Sequence, residues 1–156
     1  AMSSESARGV GTVPSPCAGR CSTVFGDSVC RGCRRYSHEV IGWNRYDAAA
    51  QQLVWQRLDQ QLDQIVLPRV AVADWAQVQQ FLQARQVRLP AAASRGRQVY
   101  EVLKRVARQP AMLPGSGLAL DGPALPEVWA GVERAVYALA QASYELAWLR
   151  GVPQEL

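Results

Sequence analysis

The sequence predicts a mainly helical protein: a small four-cysteine metal knuckle followed by a bundle of about four to five helices. Three observations predict it. All four cysteines, Cys17, Cys21, Cys30 and Cys33, fall within seventeen residues. From residue 47 onward, apolar side chains recur at steps of three and four between capping residues and Pro or Gly stops. That is the period of helices that turn one stripe toward a core. No stretch alternates polar and apolar residues long enough to make a trustworthy strand.

Three segments are expected. Residues 1–13 are polar with glycines and are expected to be a disordered tail. Residues 14–46 form the metal-binding module. Its loop gives way near Tyr36–Ser37 to a short helix, where Glu39 suits the positive end of the helix dipole and Trp43 packs back on the knuckle. Residues 47–156 form the bundle. Asp47 caps a helix that carries Val54, Leu58, Leu62 and Ile65 on one stripe and stops at Pro68. Residues 66–73 are the one β-prone stretch, and Pro68 argues against a central strand there. Asp74 caps a helix with Trp75, Val78, Phe81 and Leu82 inward. Ser94 caps another, with Val99, Val102, Leu103 and Val106 inward and Pro110 as its stop. Residues 109–124 form a Pro/Gly-rich loop, long for a compact domain. Pro126 suits the first turn of the last helix and Gly151 its end. That helix places Leu125, Trp129, Val132, Val136, Leu139 and Leu146 on a long seam. Tyr137, Tyr144 and Trp148 form a second stripe, read first as core packing and second as a surface for a homodimer or a protein partner.

The cysteine pattern is C-x3-C-x8-C-x2-C. Two thiolates two or three residues apart can face one ion across a tight turn, and two such pairs complete a tetrahedron around zinc. Gly19 and Gly32 sit inside the two turns, where backbone amides can donate to thiolates. Arg20, Arg31, Arg34 and Arg35 offset the charge of four thiolates, and Val29 and Phe25 are placed to shield one side. Two separated pairs suit Zn better than the ferredoxin spacing of three close cysteines and a distant fourth. An iron–sulfur cluster stays open as the alternative. Four protein ligands close the site, which makes it structural and non-enzymatic. His38, the single histidine, is read as an exposed first-turn residue.

Ser15-Pro16-Cys17 with Gly19 and Cys21, then Cys30-Arg31-Gly32-Cys33, Arg35, Glu39, Ile41 and Trp43, resembles a bacterial family designated domain of unknown function 1289. The resemblance covers about residues 14–60. It implies a four-cysteine site, predicted in that family to be iron–sulfur, and it implies no reaction or substrate. The family usually has Gly after the fourth cysteine and Thr at the helix cap, where this chain has Arg34 and Tyr36.

The net charge is +4, and sixteen of seventeen cations are Arg. Arg97, Lys104, Arg105 and Arg108 fall within about 100° on a helical wheel, with Glu101 among them to pair with Arg105. They are the candidate nucleic-acid or partner-binding face, for RNA or DNA phosphates. Asp59 and Asp63, four apart, are expected on a solvated helix face. A catalytic triad must use His38, which has no nucleophile elbow near it, and HExxH is absent. Gly115-Ser116-Gly117 lacks the Lys and strand of a phosphate loop and is a turn. No apolar run reaches membrane-spanning length. The N-terminal AMSSESARGV has no signal-like apolar segment, and the expected location is cytoplasmic. The expected role is an adaptor for a protein or RNA partner. The alternative is redox or electron transfer through a cluster.

Overall fold

The computed structural model of the chain describes residues 13–19 and 21–155, and side chains as far as 148. The expected tail and Arg20 thus lie outside the described residues, except for Val13. The fold is mainly helical, as the apolar periodicity predicts. Among the described residues, five α-helices follow in order: α1 Ser37–Gly42, α2 Ala48–Val66, α3 Trp75–Ala84, α4 Arg95–Arg108 and α5 Leu125–Glu155. Two short strands, β1 Ala71–Val72 and β2 Leu118–Ala119, pair antiparallel with Val72 opposite Leu118. The β-prone stretch thus yields a two-residue strand, paired to the far side of the Pro/Gly-rich loop. The chain divides into two compact units, residues 1–58 with 137–156, and residues 59–136. The divisions fall inside α2 and α5.

Caps set the helix starts. Asp47 Oδ1 accepts from Ala50 N–H at 2.8 Å. Asp74 Oδ1 accepts from Ala76 and Gln77, and Ser94 Oγ accepts from Arg97 N–H at 3.1 Å. Each satisfies amides that a helix start would leave without a partner. α5 differs from expectation at its far end, because it runs past Gly151 to Glu155.

The core of the second unit is apolar and continuous. Leu62, Val66, Val78, Phe81, Val99, Leu103, Leu125 and Val132 are all buried in one cluster. Gly117 has a φ of 87° and its carbonyl accepts from Ala73 and Asp74 N–H. A Cβ there would lie 2.8 Å from Val78 N.

Polar groups in this unit sit where the sequence reading does not expect them. Asp59 is buried. Its Oδ1 accepts from Arg97 Nε at 2.8 Å, and its Oδ2 accepts from Ser94 N–H at 3.0 Å. Asp63 accepts from Gly96 N–H at 2.7 Å. The two carboxylates of α2 therefore receive the first turn of α4, where the helix dipole favours negative charge.

In the first unit, the smaller core joins Val29, Tyr36 and Ala140, with Tyr137 and Tyr144 packed against it. The second stripe of α5 is thus partly core. Leu146, assigned to the seam, is 52% exposed.

Candidate metal centre

The knuckle is built from three tight turns. Gly19 has a φ of 90°, and its N–H donates to Cys17 Sγ at 3.4 Å. A 3-10 turn follows, Ser22–Phe25, ended by Gly26 in the left-handed region. Cys21 Sγ and Thr23 Oγ1 share a hydrogen bond of 2.9 Å. The second pair lies on a hairpin. Val29 bridges Tyr36, Cys30 N–H donates to the Arg35 carbonyl at 2.9 Å, and Arg34 N–H donates to the Cys30 carbonyl at 2.8 Å. Arg34 closes that turn with a φ of 68°. This is the position where the resembling family carries Gly, the residue that takes such a φ without strain.

Cys30 is 2% exposed and Cys33 6%, whereas Cys17 is exposed and Cys21 lies between. None of the four is in a disulfide. Cys30 and Cys33 hydrogen-bond to each other. That bond pulls the Cys30 thiol down to about 4 against the effect of burial, with help from the backbone N–H groups of Cys33, Ser22 and Gly32. Cys33 is pushed up, because ionising it would break the same bond in a buried place. Arg35 Nε donates to Cys33 Sγ at 3.2 Å, and its guanidinium lies 5.0 Å from the Trp43 ring centre. Trp43 is buried against the module, as expected. Val29 is fully buried, but Phe25 is 87% exposed and shields nothing. His38 is exposed in the first turn of α1.

The support around this turn includes residues that sequence reasoning missed. Glu39 takes the Tyr36 N–H at 2.9 Å and both terminal nitrogens of Arg57 at 2.6 Å. The Arg57 guanidinium lies 4.0 Å from the Tyr36 ring centre. Burial works against the Arg57 charge, but the Glu39 bonds outweigh it and raise its pKa. Trp55 Nε1 donates to the Pro14 carbonyl at 2.8 Å, tying the start of the knuckle to α2. Glu39 and Arg57 lie eighteen residues apart, and no local pattern couples them.

Among the described residues, no three His, Cys, Asp or Glu side chains converge closely enough to hold a metal ion. Cys30 and Cys33 are brought together, while Cys17 and Cys21 each keep a bond of their own. The donor chemistry still suits a thiophilic ion. Four cysteines outside any disulfide lie along seventeen residues, and N–H donors already reach the Cys17 and Cys33 sulfurs, as they do in the shell behind a thiolate site.

The basic face separates into different environments. Arg97 is 6% exposed, with Nε on Asp59 and Nη1 on Glu101 at 3.0 Å. Arg97 is therefore not part of an exposed cationic face: it sits among buried carboxylates. Arg105 Nη1 bonds Glu101 Oε1 at 2.8 Å, the expected i,i+4 pair. Lys104 is partly exposed and Arg108 exposed.

Residues 15–62 match the model of a family described as a protein of unknown function (DUF1289). The matched segment holds the whole knuckle, α1 and most of α2. No curated protein matches the chain, and no solved structure does. Among the described residues, no helix is long and apolar enough to cross a membrane.

Proposed function

We propose that the knuckle is a non-enzymatic module that holds a metal ion through Cys17, Cys21, Cys30 and Cys33, in a chain that serves as an adaptor for a protein or RNA partner. The observation that carries this reading is the buried Cys30–Cys33 pair, with Arg35 donating to Cys33 Sγ and both partner cysteines of the motif reduced and close in sequence. Zinc is the ion we favour, because two separated pairs provide four thiolates. Closed four-thiolate zinc supplies folding energy and no reaction. We place the chain in the cytoplasm, where reducing conditions keep such thiols free.

The test is metal analysis of the purified chain and of its Cys30→Ser and Cys17→Ser variants. The native chain is expected to carry one zinc and to be colourless. A brown protein with iron and sulfide instead supports the cluster and a redox role. Each variant is expected to lose its metal and the ordered hairpin, while the apolar core of residues 59–136 stays folded. Binding at such sites is worth about 10–16 kcal/mol and is coupled to folding of the small module around it, so removing one thiolate weakens metal affinity and hairpin order together. Full metal content in either variant would sink the four-ligand assignment.

A further inference from the structure

Arg35 is a buried cation that meets no carboxylate. It is 3% exposed, and no Asp or Glu among the described residues lies within ion-pair distance of it. The carboxylates of its unit whose side chains are described are Asp27, Glu39, Asp47 and Glu145. All of them are engaged elsewhere. Asp27 pairs with Arg31 at 3.4 Å, and Glu39 holds Arg57 with both oxygens. Asp47 caps α2, and Glu145 accepts from the Gln141 side chain. A guanidinium in a protein stays charged, and a buried charge needs an answering one. The Trp43 ring attracts it at 5.0 Å but carries no net charge. The other contact of the Arg35 side chain is Nε to Cys33 Sγ at 3.2 Å.

We infer that Arg35 is a positioning residue of the metal centre, whose guanidinium fixes Cys33 Sγ and answers its charge when that sulfur is a thiolate ligand. This role rests on the metal reading above. It sets Arg35 apart from its neighbours. Arg31 faces Asp27 with its side chain 66% exposed, and Arg34 gives Nη1 to the Gly32 carbonyl. Cys30 and Cys33 hydrogen-bond to each other, and while they do so one of the two sulfurs keeps a proton. A bound ion takes the place of that proton. The charge thus uncovered on Cys33 lies against Arg35 Nε. A charge-assisted hydrogen bond is roughly twice as strong as a neutral one, so the contact strengthens on loading and favours the loaded site.

The experiment loads the full chain with cobalt(II), a coloured stand-in for zinc, and measures zinc affinity by competition with a chelator. Arg35→Met keeps an aliphatic stem over Trp43 and removes the charge and the donor. Zinc affinity is expected to fall about 10–100-fold, the cost of losing a partner behind a ligand. The sulfur-to-cobalt charge-transfer band is expected to move to longer wavelength, because a thiolate without its counter-charge gives up an electron more readily. Arg35→Lys, which restores the charge, is expected to recover part of both. Arg35→Gln, with a donor but no charge, repeats the comparison if the Met variant loses the hairpin. An unmoved band in the variants without the charge would overturn the role, whether or not affinity falls, because packing alone would then explain Arg35. Arg35→Lys no better than Arg35→Met would overturn the counter-charge. A native chain that takes up neither cobalt nor zinc would overturn the metal reading and this role with it. A native chain that loads beside an unchanged Arg35→Met would overturn this role alone.

Discussion

Gly96→Ala is expected to destabilise the second unit by about 3–5 kcal/mol, although it adds one methyl group to a helix that would ordinarily welcome it. A Cβ at position 96 would meet the Asp63 carboxylate oxygen, and would stand 2.6 Å from Asp63 N and 2.7 Å from its Cα. Two of those three atoms are backbone and cannot rotate away, so α2 and α4 must move apart. Overpacking of this kind costs about 1–3 kcal/mol. The separation also breaks the Gly96 N–H bond to the Asp63 carboxylate, and bonds to a charged group are worth about 1.5–3 kcal/mol. Gly122→Ala is the control, because nothing lies within 4 Å of a Cβ there, and it is expected to shift stability by less than about 0.5 kcal/mol. Urea unfolding followed by circular dichroism compares them. A Gly96→Ala midpoint equal to that of the native chain would show that the two helices do not approach as closely as described.

Arg97→Met is the second large effect, at about 3–5 kcal/mol, the cost of leaving buried charges without their partner. Asp59 would keep the Ser94 amide, and Glu101 the Arg105 bond and the nearby Lys104 charge. A solvated surface Arg would instead change stability by less than about 0.5 kcal/mol, so the measured value decides between the helical-wheel expectation and the buried network. The pH profile adds an independent readout. Burial alone would raise the Glu101 carboxyl, but Arg97, Lys104 and Arg105 outweigh it and hold it below the ordinary range. A depressed carboxyl stabilises the fold above its unfolded value of about 4.3, and that contribution is lost as pH falls through the folded value. The native chain is therefore expected to lose stability below about pH 4, and Arg97→Met to lose less over the same interval. Equal acid sensitivity in both would remove Arg97 from the network.

The caps at Asp47, Asp74 and Ser94 and the stripes of α2, α3 and α4 were legible in the sequence because they are local. A cap bonds to amides two or three residues away, and a stripe repeats within one helix. The Cys30-Arg31-Gly32-Cys33 turn was legible for the same reason. What sequence reasoning missed depends on residues far apart along the chain. Asp59 reads as solvated until Arg97, 38 residues later, lies on it. Glu39 reads as a dipole partner until Arg57 adds a bidentate pair. A helical wheel groups Arg97 with Lys104 and Arg108, but it cannot show which of the three meets α2. Leu146 continues the spacing of the seam and yet lies outside the core. The four cysteines point to one ion by composition and spacing, while the fold shows one close pair and two separate thiols.

The pairing of Val29 and Tyr36 with Ala140 has a consequence for how the chain is made. Both sides of that small core belong to one unit, but 78 residues, 59 to 136, separate its two stretches. During synthesis the inner unit is complete as soon as Val136 has emerged, and its own core lets it fold at once. The cysteine knuckle, made first, must wait for the last stretch of α5 before Val29 and Tyr36 are covered. Until then a nascent chain carries reduced thiols and exposed aromatic surface together, the condition in which early metal loading or a holding chaperone matters most. A chain stopped at Val136 is expected to be cut by protease between residues 14 and 58 while residues 59–136 resist, and protection of both stretches would show that the knuckle is finished without its closing helix.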